Sequence, residues 1–200
     1  MNKIIFIAKF WLVSALMCAS VAQAQDNAQL LNRIANISAK PEAMQANFKQ
    51  SKKINGFRAP VVSSGKVVLV RQRGMLWVTQ APYQSSLHIT ANGIVEKQGG
   101  QSTQIANAQG MKNMTQIMSA MLSGNFSGLN QYFNFSGTAQ AKSWALHLTP
   151  LDEHMRRSIS NIDLSGGQFV NRAVIYEVSG DVTTIVFSQA HPISSNNAGF

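Results

Sequence analysis

Any chemistry in this 200-residue chain would fall to four histidines, one cysteine, a short acidic cluster and a set of methionines. His88, His147, His154 and His191 lie far apart, and no pair has the close helical spacing from which a zinc site takes two ligands. No metal and no cofactor are expected. No Gly-x-Ser-x-Gly turn lifts a serine into a nucleophile's position, and no glycine-rich loop opens a helix to cradle phosphate. Asp152, Glu153 and His154 are neighbours in the chain, so their side chains diverge, and they read as a polar loop after Pro150. There is no catalytic constellation, and a hydrolase reading would have to rest on His147 or His154 alone.

What the chain offers instead is apolar surface. From Gln104 to Leu122, the residues Met111, Met114, Ile117, Met118, Met121 and Leu122 fall on one helical face. Four of the nine methionines stand on that stripe. The thioether side chain is unbranched and polarizable, which suits a surface that repacks around variable apolar ligands. The same stripe also reads as ordinary core covering a sheet, and the two readings coexist where a helix covering an apolar face can open.

The amino end indicates where such a surface would work. Lys3 and Lys9 precede a charge-free run from Phe10 to Ala19, and Ala22-Gln23-Ala24 has the small-x-small pattern of a signal peptidase site. The apolar run is about half of the roughly 20 residues that a membrane-spanning helix needs. A cleavable leader over residues 1–24 is therefore expected, with Gln25 as the first mature residue and the periplasm as the destination. Cys18 departs with the leader, so the mature chain holds no thiol and must be stable without disulfides.

The formal charge of +9 falls by two when Lys3 and Lys9 are removed. Such a balance favours anionic partners. The positives are dispersed among Lys49, Lys52 and Lys53, Arg71 and Arg73, and Arg156 and Arg157, without interleaved aromatic residues. Nucleic acid is not an expected partner; a membrane surface, or merely a solvated basic face, is.

Ala28, Leu31, Ile34, Ala35 and Ile37 predict a helix that ends before Pro41. The period then becomes two, and Met44, Ala46, Phe48 and Gln50 share one face of a strand, with Phe48 turned inward. Asn55-Gly56, Ser63-Ser64-Gly65, Asn92-Gly93, Gly99-Gly100, Gly166-Gly167 and Gly180-Asp181 punctuate further β-rich runs. These are 66–70, 75–79, 83–90, 144–149, 159–164, 169–178 and 182–188. The pattern predicts an antiparallel meander interrupted by the methionine helix, which Ser123-Gly124-Asn125 ends, and by a second short helix over 126–132. The fold class is mainly β with helices (α+β), as one domain over 25–190 followed by a flexible tail at 191–200.

Ala46-Asn47-Phe48-Lys49-Gln50, then Gly74-Met75-Leu76-Trp77-Val78, Pro82-Tyr83 and Leu87-His88-Ile89-Thr90 together resemble the LolA-like periplasmic carriers of outer-membrane lipoproteins. The resemblance implies an unclosed antiparallel half β-barrel with a helical lid. It also implies a cargo of acylated lipoprotein or other lipid, taken from an inner-membrane transporter and passed to an outer-membrane acceptor by a monomer. On this footing the apolar cavity falls to Phe48, Trp77, Leu87 and Ile89 on the sheet and to Met114, Ile117, Met118 and Met121 on the lid. Each of these residues equally reads as plain core. The family's carriers place an arginine before the proline that follows the tryptophan strand, where it stabilises the closed lid. Here Ala81 precedes Pro82, with only Arg71 or Arg73 as a substitute. That departure points to a divergent member with another lipid or acylated product as cargo. The alternative is a lipoprotein- or lipid-sensing module on the same fold.

Overall fold

The computed structural model describes residues 28–90, 92–105, 120, 124 and 126–197. Helix α1 covers 28–37. One meander follows: β1 (Ala43–Lys53), β2 (Val61–Val70), β3 (Gly74–Ala81), β4 (Ser85–Thr90), β5 (Gly93–Gln98) and β6 (Gln101–Ile105). After a 3₁₀ segment at Phe126–Gln131 comes a second: β7 (Phe133–Ala139), β8 (Trp144–Pro150), β9 (Ile159–Gly166), β10 (Val170–Glu177) and β11 (Val182–Pro192). A one-turn helix, α2 (Glu153–Arg156), lies between β8 and β9.

The two meanders join through their first and last strands, β1 pairing antiparallel with β11. The strand order is β6-β5-β4-β3-β2-β1-β11-β10-β9-β8-β7, with β6 and β7 as the edges of an unclosed sheet. Alternation decides which face is buried. Trp144, Leu146 and Leu148 on β8 are buried, while Ala145, His147 and Thr149 between them are exposed. β2 departs from that rule because Val67-Val68-Leu69-Val70 is buried throughout. Val67 and Leu69 join the main core, whereas Val68 and Val70 form a small outer cluster with Ala43, packed against Leu76 and Ile193.

The helical segments sit on the main core face. Ile34 of α1 is fully buried and packs there with Phe126 and Leu129 of the 3₁₀ segment. Arg33 on the same helix donates to the Ala139 carbonyl at the end of β7, and the Ala39 N–H reaches the Gln168 carbonyl at 2.8 Å. Trp144 is fixed on both sides, its ring edge-on to Phe126 at 4.9 Å and its Nε1–H donating to the Gly167 carbonyl at 2.9 Å.

Several expectations require correction. Three strands, β5, β6 and β7, stand where none was read, and Gln104 and Ile105 belong to β6, not to the methionine helix. β6 carries Gln-Ser-Thr-Gln and is exposed along most of its length, so it lacks the apolar alternation that marks a half-buried strand. The segment after Asn125 is 3₁₀, and Asp152 starts a helical turn by accepting the Met155 N–H at 3.0 Å where a loop was expected. β11 continues through Pro192, four residues past the run read over 182–188, and beyond it the Ile193 N–H bonds to the Ala43 carbonyl at 3.0 Å while its side chain covers the outer cluster.

Leu148 is fully buried at the centre of the β7–β9 face. Leu148→Ala is expected to cost about 2–5 kcal/mol, through lost transfer energy and the cavity left behind. Urea unfolding followed by circular dichroism measures it, and a cost under about 1 kcal/mol would mean that this face is loosely packed.

Candidate functional site

Strand register sets the apolar residues in rows that cross the sheet. Met44, Leu69, Met75, Ile89, Ile94 and Ile105 are successive partners from β1 to β6. Ala46, Val67, Trp77 and Leu87 form the adjoining row. In the other meander, Phe135, Leu148, Ile162 and Ile175 align from β7 to β10. The first two rows run beside an aromatic cluster on the β1–β11 pair, whereas the third continues through Thr183 to Lys52. Phe48 stands opposite Phe187 on one side and Gly65 on the other. Its ring lies 4.1 Å from that of Trp77, and Phe187 meets Trp77 edge-on at 6.2 Å. Gly65 is required there, since a Cβ would lie 3.0 Å from the Phe48 ring and 1.9 Å from the Val78 carbonyl oxygen.

Four of the cavity residues read from the sequence thus lie together. Phe48, Trp77 and Ile89 are buried in the main core and Leu87 packs against it. The other four, Met114, Ile117, Met118 and Met121, lie outside the described residues. Near them, Ala120 is helical and packs against the core. Gly124, read as the end of that helix, has φ +67°, the left-handed conformation suited to a helix-terminating glycine.

Neither substitute arginine stands beside Pro82. Arg71 and Arg73 lie in the β2–β3 turn, at the opposite end of β3. Arg71 donates to the carbonyls of Lys40 and Pro41 and pairs with Glu42 at 3.5 Å, so it anchors the segment leading from α1 into β1. An arginine–carbonyl contact between helix and sheet does exist, but it is made by Arg33, which no local motif singled out.

Polar groups break the apolar face at one end. Lys52 and Thr183 are partners across the β1–β11 pair. Lys52 reaches Glu177 at 2.7 Å and Asp181 at 3.3 Å. Thr183 donates to Glu177 at 3.4 Å, and the Asn55 N–H donates to Asp181 at 2.9 Å. The hydrogen bond to Glu177 chiefly holds Lys52 above its ordinary 10.5, and the Asn55 N–H, then Lys52, hold Asp181 below its ordinary 3.8. The sequence showed Lys52 only as one of three clustered cations; its partners arrive from a hairpin at the other end of the chain.

The outer face holds different groups. His147 and Asp163 are 2.7 Å apart there and about half exposed. Ser136 is the register partner of His147 on β7, yet makes no hydrogen bond to it. His88 is pushed below 6.5 by burial first and by Lys97 second, so it is neutral at pH 7. A cleft of about 610 Å³ at the ends of β3–β6 is lined by Gln80, Gln84, Ser85, Lys97, Gln98 and neighbouring small residues, chemistry unsuited to an acyl chain. Among the described residues, no group of three His, Cys, Asp or Glu could hold a metal ion, and no helix is long and apolar enough to cross a membrane.

An unclosed antiparallel sheet with one face apolar from edge to edge, carrying helical segments on that face, is an open half-barrel of the α+β class. The model of the family described as "Outer membrane lipoprotein carrier protein LolA" matches residues 39–200, and the chain belongs to that family. No curated protein sequence matches it. Among solved structures, a LolA superfamily protein from Nitrosomonas europaea is similar at 10% identity and a TM-score of 0.48, over 83% of this chain and 93% of the other. A chain of the Pseudomonas aeruginosa MucA/MucB complex is similar at 14% identity and a TM-score of 0.48, over 88% and 61%. The Mycobacterium tuberculosis lipoprotein LppX is similar at 8% identity and a TM-score of 0.40, over 86% and 97%. Family membership rests on the sequence match, not on these neighbours.

The linked groups at the polar end give a pH dependence of defined sign. The raised Lys52 contributes fully below 10.5, and the contribution disappears as pH rises through its folded value. The depressed Asp181 contributes fully above 3.8, and its contribution disappears as pH falls through its folded value. Asp181→Asn is therefore expected to flatten the fall of Tm below pH 3.8, and Lys52→Met the fall above pH 10.5. Thermal melts across pH measure both, and profiles parallel to the parent protein's would show that the network adds nothing.

Proposed function

We propose that this protein is a periplasmic carrier that shelters the acyl chains of a lipoprotein or another lipid between the inner and outer membranes. The observation that carries the reading is the broad apolar face of an open half-barrel, polar only at one end, in a chain of the LolA family. Each buried methylene is worth about 0.8 kcal/mol, so a long acyl chain left in water costs on the order of 10 kcal/mol. Cargo with two or three such chains does not cross an aqueous space unaided. Phe48, Trp77, Leu87 and Ile89 form the sheet side of the cavity, and Met114, Ile117, Met118 and Met121 form the lid.

In the empty carrier the lid covers Phe48, Trp77 and Ile89, replacing the cargo's contacts with its own. Entry of cargo then gains only the difference between cargo contacts and lid contacts. That difference keeps affinity low enough for release to an acceptor in the outer membrane after loading by a transporter in the inner one. Methionine fits the lid because its flexible side chain repacks on either partner.

Met118→Asp is expected to abolish shielding of an apolar fluorescent probe while lowering stability by no more than a few kcal/mol, because the lid can stand away from the face. Stability lost with probe binding retained would make Met118 plain core. Unchanged binding and stability would remove it from the cavity. Export is checked separately by mass spectrometry of the protein recovered from the periplasm, which is expected to begin at Gln25 and to retain bound lipid or acylated peptide.

A further inference from the structure

In an up-and-down antiparallel sheet every second connection falls at the same end. The β1–β2, β3–β4, β5–β6, β8–β9 and β10–β11 connections share one end here. Among the described residues, six of the seven large apolar side chains that are exposed lie at that end. Phe57, Val61 and Val62 flank the β1–β2 turn, at 69%, 55% and 43% exposure, and Val178 opens the β10–β11 turn at 58%. Tyr83 and Leu151 stand in the β3–β4 and β8–β9 connections.

The two hairpins bearing the four central residues are fastened together. Besides the Asn55 N–H bond to Asp181, the Asn55 side-chain amide donates to the Ser179 carbonyl at 3.2 Å. Phe57 and Val178 are thus held on one rigid rim. The carboxylates around them are engaged, whereas three of the cations are not. Glu177 and Asp181 are paired with Lys52, Glu153 is paired with Arg157, and Asp152 caps α2. Lys53, Arg58 and Arg156, all exposed, have no acidic partner among the described residues.

We infer that this rim docks on an anionic phospholipid surface, with Phe57 and Val178 entering the headgroup boundary and Lys53, Arg58 and Arg156 meeting lipid phosphates. Projecting hairpin tips with separate apolar side chains and flanking cations suit a soft, negatively charged interface. Docking is independent of the cargo reading, since a chain with an empty or unused cavity would still present the same rim.

The test uses protein recovered from exporting cells and sedimented with vesicles of phosphatidylcholine, alone or mixed with phosphatidylglycerol. Salt-sensitive binding to the anionic vesicles is expected. Arg58→Glu should weaken it at least about fivefold, as expected from losing one surface cation. The Phe57→Asp, Val178→Asp double variant should weaken it further. These side chains are mostly exposed, so the variants are expected to melt like the parent. Lys142→Glu, in the β7–β8 turn at the opposite end, makes the same charge change and should leave binding unaltered. Phe57→Trp places a fluorescent reporter on the rim, and its indole emission should shift to the blue on anionic vesicles. The inference is overturned if the parent protein ignores those vesicles, if the rim variants bind as it does, if Lys142→Glu loses as much as Arg58→Glu, or if vesicles leave the emission of the Phe57→Trp variant unshifted. Retention on polyglutamate that depends on the rim, without vesicle binding, would assign the surface to an acidic protein instead. Probe shielding is measured on the same variants, so loss of docking and loss of cargo binding are read separately.

Discussion

The pairing of β1 with β11 is the constraint on which the remaining structure depends. Each meander folds from neighbours in the chain, but neither half alone completes the apolar face. The halves become one sheet only where the first strand meets the last, and that contact must overcome the loop-closure entropy of nearly the whole chain. Phe48 secures the seam by facing Phe187 across it and lying over Gly65 onto Trp77. A fold dominated by so distant a pairing is expected to assemble slowly compared with one built from local contacts.

A sheet that does not close leaves the problem of its edges. The β6 edge is occupied by neutral polar residues, and the apolar rows end there at Ile105. The ionisable groups on the face are concentrated at one end, where Lys52, Glu177 and Asp181 satisfy one another. These groups are only partly covered, so pairing and water share in satisfying them. The unpaired cations stand outside, where water solvates them.

Strands with one buried face were legible in the sequence because the burial imposes a period of two. β1, β3 and β8 show it, and on β1 the alternation turned Phe48 inward, where it is buried. β5 and β6 were missed because strands near an edge are solvated and lose the period; β7 alternates over only a few residues before Ser136-Gly137-Thr138. Contacts made between distant segments left no local trace. Asn55 reads as an ordinary turn residue until Asp181 is beside it, and Arg33 as a solvated helix position until Ala139 is. The concentration of exposed apolar side chains at one end required the direction of every strand, which spacing alone does not supply.

The order of the strands has one more consequence. Because each half is a simple meander growing outward from the seam, the free strands β6 and β7 are the last added on either side. A hairpin gained or lost there changes the width of the sheet without disturbing the register at its centre. The amount of apolar area is therefore a separable quantity, adjustable by natural variation or by design at the margins, while the aromatic centre stays as it is.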